Sequence, residues 1–197
     1  MPRAESVGSA RTLTRKGPVI PSSLLAMVAF ILTEVMLFAA LISSFLIIKA
    51  DAVIWPPLGQ PRLPVNVTAM TTVILLGSGY MCFLANRRFR AKDFPASRRL
   101  LGLAVVLGGI FVTVQGYEWT KLLGFGLTVT SSLYGSFFYI IIGFHALHAM
   151  AALVAMLHLF LTFGPRGQSE SRFLGTQVFW YFVVGIWPIL YYLVYLS

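Results

Sequence analysis

Residues 131–163 read SSLYGSFFYIIIGFHALHAMAALVAMLHLFLTF, without a single Lys, Arg, Asp or Glu. A hydrocarbon core of about 30 Å is crossed by a helix of about 20 apolar residues, so this run is long enough to span a membrane. Backbone groups in lipid must bond within their own segment, which favours a helix. A transmembrane strand would alternate apolar and polar side chains, and this run does not. The stretch therefore predicts a membrane-spanning helix.

Four further stretches of the chain have the same character. Of its 197 residues, 58% are hydrophobic and only 11% are charged, and the mean hydropathy is +0.83, a composition typical of integral membrane proteins. We predict an all-α integral membrane bundle of five transmembrane helices over residues 21–197, preceded by a basic tail over residues 1–20. The predicted spans lie near Ser22–Ile48, Val67–Ala85, Leu100–Lys121, Ser131–Phe163 and Phe173–Ser197.

The basic residues predict the orientation of the bundle. The net charge is +9, and twelve of the 15 Lys and Arg residues fall in the tail and in the connections after the second and fourth spans. Basic residues collect on the cytoplasmic side of membrane proteins, so we expect the N-terminus in the cytoplasm and the C-terminus outside. This distribution explains the charge without nucleic acid. We expect a multi-pass protein of a bacterial cytoplasmic (inner) membrane. Cys82 is the only cysteine, which excludes a disulfide within the chain.

One carboxylate falls deep inside a predicted span. Glu34 lies about 12 residues into the first helix, roughly 18 Å from its start and near the middle of the bilayer. A carboxylate at that depth is costly and marks a functional-site candidate. Glu34 could hold lipid or water, transfer protons, or make a structural hydrogen bond to a neighbouring helix.

Three further polar residues are candidates for an interior network. His145 and His148 are three residues apart, so they share one helical face. A metal would need additional ligands, and only Glu34 or Glu118 could come from other spans, so we predict no metal site and no catalytic residue. One helix also cannot supply both axial ligands of a haem. We expect His145 or His148 to meet Glu34 or Glu118 across helices, with a Glu118–Lys121 pair as the alternative.

The connections and the last span carry local signals. The loop Ala50–Asn66 contains four prolines and should be extended and stiff. The connection Asn86–Arg99 is strongly basic and should lie against anionic lipid headgroups. Pro188 inside the last span predicts a kink near Gly185–Pro188.

A set of short segments, taken in order, carries a family resemblance. The segments are LTEVMLF (32–38), WPPLG (55–59), LPVNVT (63–68), QGYEW (115–119), SLYGSFF (132–138) and GFHALH (143–148). Over roughly residues 25–197 they resemble the haem-copper oxidase (cytochrome c oxidase) subunit III family. The resemblance implies a five-helix, divergent form of a seven-helix family, without the first two helices. It implies a non-catalytic accessory subunit that stabilises the catalytic subunit, holds lipid, supports proton uptake and protects the enzyme from turnover damage.

The resemblance also implies partners and residue roles. The chain would be a component of a cytochrome c oxidase or quinol oxidase complex, beside catalytic subunit I and other oxidase subunits. It would bind phospholipid but no cofactor of its own, with haem and copper in the partner subunits. Glu34 matches the family's buried carboxylate near a lipid cleft, and Glu118, His145 and His148 match its interior polar positions.

One segment departs from the family pattern. The family's last helix usually reads Trp-His-Phe-Val-Asp-x-x-Trp, whereas this chain has Tyr181 and Val184 in place of the histidine and the aspartate. The departure suggests a divergent branch, which serves a different oxidase, a nitric oxide reductase or another respiratory assembly. Two other classes of protein stay open on the polar residues alone: a proton-coupled transporter that uses Glu34 and the histidines, and a membrane enzyme with a metal at His145 and His148.

Overall fold

The computed structural model describes residues 22–55, 63–164 and 169–196, and these form a bundle of long helices. The helices are α1 (Ser22–Asp51), α2 (Val65–Arg90), α3 (Phe94–Gly124), α4 (Leu133–Leu161) and α5 (Glu170–Leu190), and α5 continues into a π-helical stretch, Tyr191–Leu196. All five helices are long and apolar enough to cross a membrane, which confirms the predicted all-α bundle. The basic tail, residues 56–62 of the proline-rich loop and residues 165–168 lie outside the described residues.

The connection between α2 and α3 is much shorter than the expected Asn86–Arg99. It contains only residues 91–93, because the flanking basic residues continue the two helices. Lys92 takes a left-handed conformation, with φ of 60°. The side chain of Asp93 then caps α3 by accepting a hydrogen bond from the backbone N–H of Ala96 at 3.3 Å. Arginine and lysine are good helix formers, so the basic charge is carried on two helix ends rather than on a loop.

Helix α5 lies at the centre of the bundle. It packs against α1, α2 and α4 and buries the rings of Trp180 and Trp187 completely. Helix α1 lies at the edge, where only Phe38 and Phe45 are buried. Most of the apolar surface of α1 is therefore left for lipid or for another subunit.

Polar side chains connect α2, α3 and α5 inside the bundle. The Ser78 hydroxyl donates to the Ala104 carbonyl at 2.8 Å and accepts from the Trp180 indole N–H at 3.2 Å. The Trp187 indole N–H donates to the Thr72 hydroxyl at 2.9 Å. Lipid tails are as apolar as the helix surfaces, so helices in a membrane associate through such bonds and through close packing.

Two glycines allow the helices to approach closely. A Cβ on Gly108 would stand 2.8 Å from the ring of Trp180, and a Cβ on Gly79 would stand 3.0 Å from Val184. Val184 is the position at which the resembling family usually has aspartate. Here it is buried and packs directly on α2, so an apolar contact occupies the place of a polar group.

The last helix continues through its proline. Helix α5 runs past Pro188 to Leu190, and the π-helical turn begins at Tyr191. Proline removes one N–H from the helical ladder, and a wider turn is one way in which a helix accommodates that loss. The structure thus shows a change of helix type just beyond the proline, and the kink near Gly185–Pro188 stays a prediction.

Candidate functional site

Glu34 and His148 meet between α1 and α4. Glu34 lies 12 residues from the start of the 30-residue helix α1, at a depth of about 18 Å. Its Oε2 atom is 3.0 Å from Nε2 of His148, and the two side chains are only 16% and 10% exposed. This oxygen makes no hydrogen bond that meets angular criteria within the described part of the chain. The contact is a close carboxylate–imidazole pair.

The second ring nitrogen of His148 fixes the position of one proton. Nδ1 lies 2.7 Å from the carbonyl oxygen of Phe144, one turn earlier on α4. A carbonyl oxygen only accepts, so Nδ1 must carry the hydrogen and donate it. In a neutral ring Nε2 is then bare and faces Glu34 as an acceptor, and in a charged ring it is a donor. A single proton between Nε2 and Oε2 gives the pair zero net charge whichever atom holds it.

Phenylalanine rings surround the imidazole of His148. Phe30 and Phe38 of α1 and Phe179 and Phe182 of α5 all lie around the His148 ring, with centroid separations of 5.7 to 6.4 Å. Apolar surroundings of this kind lower the local dielectric constant, which strengthens the interaction between the carboxylate and the imidazole.

His145 takes a different position, although it lies only three residues away. Its ring is 1% exposed and stacks on Trp187, with centroids 4.8 Å apart and an interplanar angle of 28°. The edge of Phe111 packs on it from α3. Neither ring nitrogen has a hydrogen-bond partner among the described residues. His145 therefore lies on the α3 and α5 side of α4, apart from the pair.

Glu118 does not join either histidine. It is buried near the end of α3 and pairs with Lys121 of the same helix, with Nζ 2.9 Å from Oε1. The described residues therefore show the local pair on α3 rather than a contact across helices. Of the four candidates, the structure brings together only Glu34 and His148.

Gln115 is an interior polar residue that the sequence reasoning did not select. Its side chain is buried, and its Nε2 donates to the Thr71 hydroxyl of α2 at 3.1 Å. Its Oε1 has no partner within the described ranges. An amide in the middle of an apolar span was the available signal, because a polar group there needs a partner.

The described residues contain no group of three His, Cys, Asp or Glu side chains that could hold a metal ion. Tyr181, which stands in the family's histidine position, accepts a hydrogen bond from Gln177 Nε2 at 2.6 Å. It therefore takes no part in the Glu34–His148 pair.

Comparison with known proteins tests the resemblance. The family model for cytochrome c oxidase subunit III matches residues 14–197. A cytochrome c oxidase subunit 3 of Synechocystis sp. is 30% identical over 173 residues, which cover 86% of this chain and 73% of that protein. A probable cytochrome c oxidase subunit 3 of Nocardia farcinica is 31% identical over 162 residues, covering 79% and 78%.

A third relative extends the comparison. A probable cytochrome c oxidase subunit 3 of Mycobacterium leprae is 30% identical over 174 residues, which cover 85% of this chain and 84% of that protein. These matches do not favour the nitric oxide reductase or the transporter alternative. Together with the five spanning helices, they place the chain among multi-pass membrane proteins. The chain therefore belongs to the cytochrome c oxidase subunit III family, and it is an accessory subunit of a haem-copper oxidase.

Proposed function

We propose that the chain supports the oxidase from the side, without carrying electrons itself. It packs beside the catalytic haem-copper subunit in a bacterial cytoplasmic membrane, with its N-terminus in the cytoplasm. It retains phospholipid beside α1, and its Glu34–His148 pair holds a proton for the complex. Haem and copper belong to the partner subunits.

The observation that carries this proposal is the close Glu34–His148 pair. A 3.0 Å contact between a carboxylate and an imidazole provides two adjacent sites for one proton. Because Nδ1 of His148 is committed to the Phe144 carbonyl, the exchangeable proton is confined to the side that faces Glu34. The pair can therefore take up or release a proton at one defined place near the middle of the membrane.

The positions of the histidines support a role without a cofactor in this chain. His148 directs one nitrogen at a backbone carbonyl and the other at Glu34, so no nitrogen remains for an axial bond. His145 is covered on one face by Trp187 at 4.8 Å. Both residues lie on α4, whereas bis-histidine haem ligation needs imidazoles on opposite faces of the porphyrin.

The surface of α1 supports lipid retention. This helix buries only Phe38 and Phe45, and the Glu34 side chain is partly open at the bundle surface. An acyl chain lying along α1 would cover the opening and keep water from the pair. The same surface is available to another oxidase subunit.

The partner is tested by purification through an affinity tag on this chain. We expect a haem-copper catalytic chain among the co-purifying subunits identified by mass, and haem absorbance that remains with that chain when the subunits are separated. Recovery of this chain without an oxidase subunit, or haem that stays with it, would contradict the proposal.

The role of the pair is tested with Glu34→Gln, which keeps the shape of the side chain but removes its proton site. We expect unchanged haem content, lower oxygen consumption than native, and earlier loss of activity during turnover. Glu118→Gln is the matched control, because it neutralises a buried carboxylate that has a local partner. Equal behaviour of the two variants would refute the proton role and leave the assignment as a subunit intact.

A further inference from the structure

A second site lies on a neighbouring face of α4, beside His145 rather than His148. A pocket of about 220 Å³ opens between α3 and α4, with His145 and Gln115 in its wall. We propose that this pocket binds a small, mainly apolar molecule that bears one hydroxyl group and enters from the bilayer. This inference is independent of the proton role proposed above.

Unpartnered polar atoms give the pocket its recognition chemistry. Both ring nitrogens of His145 and the Oε1 atom of Gln115 are buried without a hydrogen-bond partner in the described part of the chain. A neutral imidazole presents one donor and one acceptor, and an amide oxygen only accepts. A hydroxyl group both donates and accepts, so it matches this set. Buried polar groups left unpaired are costly, which gives such a ligand a reason to bind.

The remaining wall determines the body of the ligand. Apolar side chains such as Phe111, Val112 and Met150 line most of the pocket, and Trp187 provides a flat aromatic surface. An apolar cavity of about 150 Å³ is enough for benzene, so a substituted ring fits the space here. Water needs two to four polar partners, and the four orphan atoms of the wall, which include Nε1 of Trp119, suffice for one or two molecules. Water alone would therefore leave most of the apolar wall without a favourable contact.

The position of the opening identifies the route of entry. Gly116 and Met150 line the pocket and are exposed on the outer surface of the bundle. Gln115 lies 9 residues from the end of the 31-residue helix α3, about 13 Å along the axis. The mouth therefore faces the hydrocarbon region, which a membrane-soluble ligand reaches directly.

The test uses two photoreactive probes that differ only in one group. They are an aryl trifluoromethyl diazirine and the same molecule with a para-hydroxyl. Each is added to the full chain with its co-purifying subunits in lipid nanodiscs, at equal mole fraction in the membrane. Labelled residues are mapped by mass spectrometry. We expect labelling on α3 and α4 at Val112 and Met150, saturable with unlabelled phenol, and stronger for the hydroxylated probe by about three- to ten-fold, the value of one net hydrogen bond.

Two variants test separately how the pocket recognises the hydroxyl group and how the probe enters the pocket. His145→Phe keeps a ring on Trp187 but removes the nitrogens, so it should reduce the preference for the hydroxylated probe and leave only the contribution of Gln115 Oε1. Gly116→Leu should obstruct the pocket and weaken labelling by both probes, because Gly116 lines the pocket. The added side chain should be tolerated, since no atom lies within 4 Å of the position of its Cβ. Gly109→Leu is the matched control, because it lies two turns away on α3 with equally open surroundings and outside the pocket.

Three outcomes would overturn the proposal. The first is equal labelling by the two probes, which would mean that the polar atoms do not select a hydroxyl. The second is labelling that does not saturate, as expected of a pocket filled by acyl chains or water. The third is labelling at Val112 and Met150 that Gly116→Leu does not weaken. The first two outcomes are measured on the native protein, so the test stays decisive even if a variant fails to fold.

Discussion

The coupling between Glu34 and His148 can be measured with a double-mutant cycle. The substitutions are Glu34→Leu and His148→Phe, made singly and together. Phenylalanine keeps a ring among the four surrounding phenylalanines, and leucine fills the space of the carboxylate with an apolar group. Each single variant leaves one polar partner in largely apolar surroundings, whereas the double variant leaves none.

The geometry sets the expected magnitude. Polar interactions between membrane helices average about 0.6 kcal/mol in such cycles and reach about 1.7 kcal/mol. The atoms here are 3.0 Å apart and both side chains are largely buried, so we expect a coupling of about 1–1.7 kcal/mol in the free energy of unfolding. Buried ion pairs replaced by apolar residues of similar volume are often neutral in stability. The double variant should therefore be at least as stable as either single variant.

The assay is reversible unfolding of the full chain in mixed micelles, followed by helical circular dichroism as the fraction of denaturing detergent is raised. The control cycle combines Glu34→Leu with Glu118→Leu. These positions are 84 residues apart in sequence and lie on different helices, and Glu118 is paired with Lys121. Positions without shared partners add within about 0.3–0.5 kcal/mol. A Glu34–His148 coupling no larger than that of the control would refute the pair as an energetic unit.

Two further predictions concern the packing of the bundle. Gly108→Ala should be less stable than Gly109→Ala by about 1–3 kcal/mol, because its Cβ would stand 2.8 Å from the ring of Trp180 whereas nothing lies within 4 Å of a Cβ at position 109. Both substitutions replace glycine by alanine within α3, so they raise the helix propensity equally. Equal stability of the two variants in the same unfolding assay would show that the contact between position 108 and Trp180 is not tight. Trp187→Phe should cost about 1 kcal/mol through loss of the indole bond to Thr72. The same bond should account for most of the stability lost in Thr72→Val. The double variant should therefore lose less free energy of unfolding than the two single variants added together.

The helices were predictable because one physical rule governs them. Backbone groups in hydrocarbon must bond within their own segment, so long apolar runs had to be helices. The ends were less predictable. Residues 86–90 and 94–99 were expected in a connection but belong to α2 and α3, since arginine and lysine continue a helix as readily as they face water.

The candidate site was predictable only in part. The cost of a carboxylate in the membrane singled out Glu34, and the spacing of the histidines made them possible partners. Gln115 was visible as an amide in an apolar span, yet its bond to Thr71 depends on how α2 and α3 are aligned. Glu118 pairs with Lys121 of its own helix. The sequence had left open whether its partner would be Lys121 or a histidine of another helix.

By itself, the sequence determined how many helices cross the membrane and which polar side chains they carry inside it. Only the tertiary structure decided which histidine meets the carboxylate. His145 and His148 are separated by about 60° around the axis of α4, and that angle places one against α1 and the other against Trp187. The helix is apolar on all sides, because both lipid and neighbouring helices accept apolar residues. Its rotation in the bundle is therefore set by packing against α1, α3 and α5, which the pattern of hydrophobic residues does not encode.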